Sequence, residues 1–202
     1  DQILFMCLTS FLLIHLMPPV IMYPYFANFK HKLIMIDTYI FIGMAGVGKS
    51  TIGAYVAKHL NLKFYDIDSV IANEYQEPIN ELISRVGIEE FNRIESESLL
   101  SLVGNNHIIA PGGSFIYCSD AIESIKDRTK FIFLYDNAKN IKNRINNIES
   151  RGIIGLDTRT FEELYYERLD LYKSIGNVEF NLEYQSFQMV CDNIIAYMDC
   201  LL

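Results

Sequence analysis

The run GMAGVGKST at residues 43–51 constrains this chain more than any other feature. It matches the phosphate-binding pattern of a glycine, four residues, then Gly-Lys-Ser. It also sits where that pattern requires, directly after an apolar β-rich run and at the start of a segment with helical spacing. Gly43, Gly46 and Gly48 let the backbone turn tightly. The N–H groups from Ala45 through Gly46, Val47, Gly48, Lys49, Ser50 and Thr51 can then converge on phosphate oxygens, and the helix start adds partial positive charge. Lys49 adds a full charge and is expected to bridge the β and γ phosphates of ATP, while the Ser50 hydroxyl is expected to hold Mg²⁺. A glycine-rich turn matching by chance would not need both flanking elements.

From Met35 onward, short apolar runs alternate with helical stretches. This predicts an α/β domain over 35–202, a three-layer α/β/α arrangement around a five-stranded parallel sheet. The strands are expected at 38–42, 63–65, 107–110, 130–135 and 178–181, because runs this apolar suit strands covered on both faces. Helices are expected over 51–60, 88–103 and 187–202, each with apolar residues on one face: Ile52, Val56 and Leu60 in the first, Phe91, Ile94, Leu99 and Leu102 in the second, Val190, Ile194, Ile195 and Met198 in the third.

Half of the 202 residues are apolar, enough to fill one core without disulfides. Cys7, Cys118, Cys191 and Cys200 have no metal-ligand spacing and read as free thiols of a reducing compartment. The net charge of −8 has the wrong sign for a nucleic-acid partner. A small-molecule substrate and a monomeric, cytoplasmic protein are expected. Residues 1–34 read as a separate apolar extension, interrupted by Pro18, Pro19 and Pro24. A membrane or organellar association would run only through residues 3–26, which fit neither a membrane span nor a signal peptide cleanly.

A phosphate loop alone leaves the acceptor open. The span from Met35 onward is short for most motor or transporter ATPase domains, and no Asn-Lys-x-Asp base-reading motif marks a GTPase. After the second expected strand comes Asp66-Ile-Asp68. On an extended segment these carboxylates would face one side, at the strand end where open α/β sheets bind ligands. One can serve the metal and the other the acceptor hydroxyl. The plainer alternative is that Asp68 caps a following helix at 69–75.

From about Tyr39 to the C-terminus the chain resembles the shikimate kinases. The likeness rests on the phosphate loop, on Asp66-Ile-Asp68, and on Gly87-Ile-Glu-Glu-Phe91-Asn-Arg93-Ile-Glu95. It continues in Ala110-Pro-Gly112-Gly113-Ser114, in Arg144 and Arg151, and in Arg168-Leu-Asp-Leu-Tyr172. The resemblance implies a P-loop NTPase fold of the nucleoside monophosphate kinase-like kind, with ATP and Mg²⁺ as cofactors. It implies that Asp66 orders Mg²⁺ through water and that Asp68 binds and deprotonates the acceptor hydroxyl. Arg168 would grip a substrate anion, Gly112 and Gly113 would approach the substrate through their backbone, Arg144 would pack near the adenine, and Arg151 would come from a mobile lid.

The departures lie on the substrate side. The family's carboxylate-binding arginine is Asn92 here, and Arg93 is a poor replacement, because one step along a helix rotates a side chain by ~100°. The first glycine of the family's triplet is Pro111, which has no N–H to donate. The usual Arg-Pro-Leu-Leu lid reads Arg151-Gly-Ile-Ile. Three readings follow: a shikimate kinase using Arg168 and Arg93 for the carboxylate, a kinase of the same fold for another small hydroxylated acceptor, and a nucleotide-binding protein without transfer activity. Kinase activity is favoured, since Lys49, Ser50, Asp66, Asp68, Arg151 and Arg168 all survive.

Overall fold

A computed structural model describes residues 38–104, 106–145 and 152–201. The expectations for residues 1–34 and for Arg151 lie outside the described residues. The chain runs β1 (Thr38–Ile42), α1 (Lys49–His59), β2 (Lys63–Asp66), α2 (Ile67–Tyr75), α3 (Ile79–Val86), α4 (Ile88–Leu102) and β3 (His107–Ala110). A single 3₁₀ turn, Phe115–Tyr117, follows. The remaining elements are α5 (Ser119–Ile125), β4 (Thr129–Tyr135), α6 (Ala138–Arg144), α7 (Phe161–Ile175), β5 (Val178–Asn181) and α8 (Phe187–Asp199).

All five strands are parallel, in the order β2-β3-β1-β4-β5. The sequence explains the order. TYIFI in β1 and HIIA in β3 are apolar or small enough to be buried at every position, so these strands lie inside the sheet, whereas β2 and β5 carry Lys63 and Glu179 to solvent and form its edges. Parallel neighbours need crossover helices, and the right-handed rule puts α1 on one face and the helices between β2 and β5 on the other. The last helix, α8, returns to pack on α1.

The core forms on both sides of the sheet, around Phe41, Ile108, Phe131 and Phe133. On the α1 side the helix comes very close to the edge strand: a β-carbon at Gly53 would lie 2.6 Å from the Phe64 ring, so no larger residue fits there. Cys118, Cys191 and Cys200 are free thiols. Among the described residues no helix is long and apolar enough to cross a membrane.

This topology fixes where chemistry can occur. The chain leaves β1 toward β2, while β3 reaches β4 only by passing over β1, so a crevice opens at the carboxyl ends of β1, β2 and β3. The register pairs Asp66, the last residue of β2, with Ala110, the last of β3, so the segments after both strands emerge side by side.

Candidate active site

The loop between β1 and α1 wraps the start of the helix. Gly43, Gly46 and Gly48 have φ of 144°, 85° and 116°, a region that side chains with a β-carbon rarely adopt. At Gly43 space forbids one as well, since a β-carbon would lie 2.2 Å from the Leu134 carbonyl oxygen of β4. Lys49 is the first helical residue and only 8% exposed. Its ammonium donates to the carbonyls of Gly43 at 2.8 Å and Met44 at 3.3 Å, which folds the charge back over the loop.

Ser50, next along α1, donates its hydroxyl to Asp66 Oδ2, and Asp66 Oδ1 accepts the Ser69 N–H at 3.1 Å. This corrects the expectation of an extended segment through residue 68. Asp66 itself is the N-cap, and α2 begins at Ile67, with Asp68 inside its first turn. A carboxylate one residue before a helix reaches the free amides of the first turn, and that satisfaction starts the helix earlier than strand alternation suggests. Asp66 therefore faces Ser50, while Asp68 faces the crevice on the β3 side.

There Asp68 meets Glu95 and the segment after β3. Gly112 donates its N–H to Glu95 Oε1 at 2.7 Å, and Ser114 donates its hydroxyl to Oε2 at 3.2 Å. A β-carbon at Gly112 would lie 2.6 Å from Glu95 Oε1 and 3.2 Å from Asp68 Oδ1, so both carboxylates close on one glycine. The Gly112 amide is thus engaged by Glu95, Gly112 and Gly113 both line the cavity beside Asp68, and Gly113 rests against the amide of Ala45 in the phosphate loop, 3.1 Å from where its β-carbon would be. Glu95 is fully buried, and burial first, the Asp68 charge second, push its carboxyl up to about 7. Bonds from Gly112 and Ser114 and the charge of Lys49 oppose the shift.

Arg168 closes the far wall. It lies on the buried stripe of α7 between Leu164 and Tyr172 and is 1% exposed. Its Nη2 donates to the Ile154 carbonyl at 2.6 Å and its Nε to the Tyr117 hydroxyl at 3.3 Å. Ala45, Asp68, Phe91, Gly113, Ile154 and Arg168 line a common cavity of about 40 Å³, roofed by residues 152–154. On the other side of the loop, Val47, Gly48 and Thr51 line a cavity of about 260 Å³ together with Arg144, Gln185 and Phe187. Arg144 is held there by an ion pair with the buried Asp136.

Two positions on α4 depart from expectation. Arg93 does not line the acceptor-side cavity: its guanidinium is exposed and pairs with Glu90 at 2.6 Å and with Glu97. The rotation of ~100° per residue carries it off the face that Phe91 and Glu95 share, so it cannot stand in for an arginine at position 92. Asn92 lines a separate open groove with Arg93, Tyr117 and Cys118, and its Oδ1 is buried without a hydrogen-bond partner.

Glu95 and Tyr117 are the groups that residue-by-residue reasoning missed as site members. The signal for Glu95 was present, since an acid at four-residue spacing from Phe91 and Leu99 lies in an apolar stripe. Tyr117 carried none.

A ready fit for a nucleotide follows from the loop's three glycines of positive φ, its helix start and its buried lysine. Ser50 and Asp66 form an all-oxygen donor pair. Among the described residues no cluster of three His, Cys, Asp or Glu could hold a metal, and one or two protein oxygens beside phosphates suit Mg²⁺.

Comparison with known proteins points the same way. A family model described as shikimate kinase matches residues 45–199. The chain is 36% identical over 143 residues to the shikimate kinase of Staphylococcus aureus strain JH9, covering 70% of this chain and 82% of that protein. Its fold is similar to the shikimate kinase from Acinetobacter baumannii in complex with shikimate, with a TM-score of 0.73, 20% identity, and coverage of 84% and 96% of the two chains. The shikimate kinase from Aquifex aeolicus follows at a TM-score of 0.69 and 22% identity, covering 80% and 96%.

Proposed function

The chain belongs to the shikimate kinase family, and on that footing we propose that it transfers the γ-phosphoryl group of ATP to a hydroxyl of shikimate, giving shikimate 3-phosphate and ADP. The observation that carries this reading is the contact of Gly113 with Ala45, which sets the cavity of Asp68 and Arg168 directly against the phosphate loop. Phosphoryl transfer is mostly positioning and charge stabilisation, and it needs donor and acceptor sites that share a wall.

In this reading the loop amides and Lys49 hold the β and γ phosphates and take up negative charge as it moves toward the leaving oxygen. The lysine swings from the carbonyls of Gly43 and Met44 to reach those phosphates. The adenine lies by Arg144, whose pairing with Asp136 fixes its plane. Ser50, with Asp66 acting through water, would hold Mg²⁺, which supplies Lewis-acid neutralisation of the phosphate oxygens.

Asp68 accepts a hydrogen bond from the acceptor hydroxyl and takes its proton as transfer proceeds. Glu95 keeps Gly112 and Ser114 in place beside it. Arg168 binds the acceptor carboxylate. The cavity is narrow, so entry requires the roof at 152–154 to lift, and its return excludes water that would otherwise take the phosphoryl group. Arg151 serves as the lid arginine in this proposal. The protein acts as a cytoplasmic monomer in this proposal.

A coupled ADP-release assay tests the reading. ATP consumption is expected to depend on both Mg²⁺ and shikimate, and turnover with another polyol but not with shikimate would overturn the acceptor assignment. Lys49→Ala should lower transfer by roughly a hundredfold or more. Asp68→Asn should lower kcat by about 10²–10⁴-fold while leaving nucleotide affinity within about twofold. Equal loss of nucleotide binding in both variants would contradict the division of roles.

A further inference from the structure

We propose that Tyr117 is a positioning residue for Arg168, tethering the guanidinium by uncharged groups so that its charge stays available to an anionic acceptor. The proposal rests on the shikimate kinase reading, in which Arg168 binds the acceptor carboxylate. Tyr117 ends the 3₁₀ turn that follows the Gly112–Gly113 segment, and that turn packs on α7. Its ring centre lies 5.3 Å from the guanidinium carbon of Arg168, within cation–π range. Its hydroxyl accepts from Arg168 Nε at 3.3 Å and donates to Glu167 Oε1 at 2.8 Å. Glu167 is itself paired with Arg159 at 2.8 Å.

The chemistry of this arrangement lies in what it avoids. Glu167 and Arg168 are neighbours on α7, and ~100° of rotation sends the first toward solvent and the second into the cavity. A carboxylate in direct contact with Arg168 would hold it firmly, yet would compete with any carboxylate arriving as substrate. Tyr117 stands between the two instead. Its hydroxyl passes the anchoring of Glu167 to Arg168 without bringing a negative charge against the guanidinium. The Ile154 carbonyl, at 2.6 Å from Nη2, is a second neutral acceptor. No carboxylate among the described residues forms an ion pair with Arg168.

With Nε and Nη2 so held, Nη1 is turned to the glycine wall, 3.2 Å from where a β-carbon on Gly113 would be.

Tyr117→Phe keeps the ring and removes the hydroxyl, and Tyr117→Ala removes both. The side chain is partly exposed, so both variants should fold. Steady-state kinetics of the full chain should show KM for shikimate raised roughly three- to tenfold in Tyr117→Phe and further in Tyr117→Ala, with kcat and KM for ATP within about twofold. An unchanged acceptor KM in both variants, or equal rises for both substrates, overturns the proposal. A second readout needs no acceptor. The ¹H–¹⁵N resonance of Arg168 Nε, assigned through Arg168→Lys, should shift and exchange faster with water in Tyr117→Phe, and a resonance that does not move overturns the tether. If the wild-type chain fails to turn over shikimate, the functional reading falls, and the Nε resonance still decides whether Tyr117 positions Arg168.

Discussion

Glu95 is where a single residue sets a property of the entire site. A carboxyl that titrates near 4.5 when unfolded and at about 7 when folded binds its proton more tightly in the native state. As pH rises from about 4.5 to about 7 the unfolded chain gives up that proton first, so this group's contribution to stability falls across the window and levels off above it. The size is roughly 3 kcal/mol at about 1.4 kcal/mol per pKa unit. Glu95→Gln keeps an acceptor for the Gly112 amide and removes the titration. Urea unfolding at pH 5, 6, 7 and 8 should therefore show the variant gaining on the wild type as pH rises, and parallel pH slopes would refute the assignment. The phosphate-loop residues were legible as a local motif because their chemistry is written in consecutive positions. Arg93 pairs with Glu90 and Glu97 away from the cavity, as the ~100° step between adjacent helical residues implies.

At the scale of elements, the strands agree with their expected bounds to within a residue, because a buried parallel strand must be apolar throughout. Helix starts were less legible. Asp66 serves as both strand end and cap, so α2 begins two residues before the expected helix at 69–75. The helix that carries Arg168 shows the same logic: Thr160 accepts the Glu163 N–H at 3.2 Å, and Glu163 accepts the Thr160 N–H at 2.8 Å, a reciprocal capping box. Thr160→Ala should lower the free energy of unfolding by about 1 kcal/mol. Because Arg168 lies two turns on and is held by Tyr117 and Ile154, kcat/KM with shikimate should stay within about threefold. A urea midpoint unchanged by the substitution, or activity lost in proportion to stability, would show that the cap works differently.

For the whole molecule, Met35–Leu202 forms one compact unit that holds all five strands of the sheet. A chain beginning at Met35 is therefore expected to unfold cooperatively by circular dichroism and to keep shikimate-dependent ADP release. Loss of either property would make the first 34 residues part of the folding unit. What the sequence alone determined is what local patterns encode: a phosphate loop between a strand and a helix, strands apolar enough for the inside of a sheet, and hence the fold class and the nucleotide side of the reaction. The tertiary structure decided which carboxylate faces which partner, that Glu95 is buried against Asp68 and Gly112, and that Tyr117 holds Arg168 across 51 residues of chain. Those contacts join residues distant in sequence through the register of β2 with β3 and the packing of α7. Hydrogen bonds and burial there depend on ångström-scale approach between elements, which no spacing along the chain specifies.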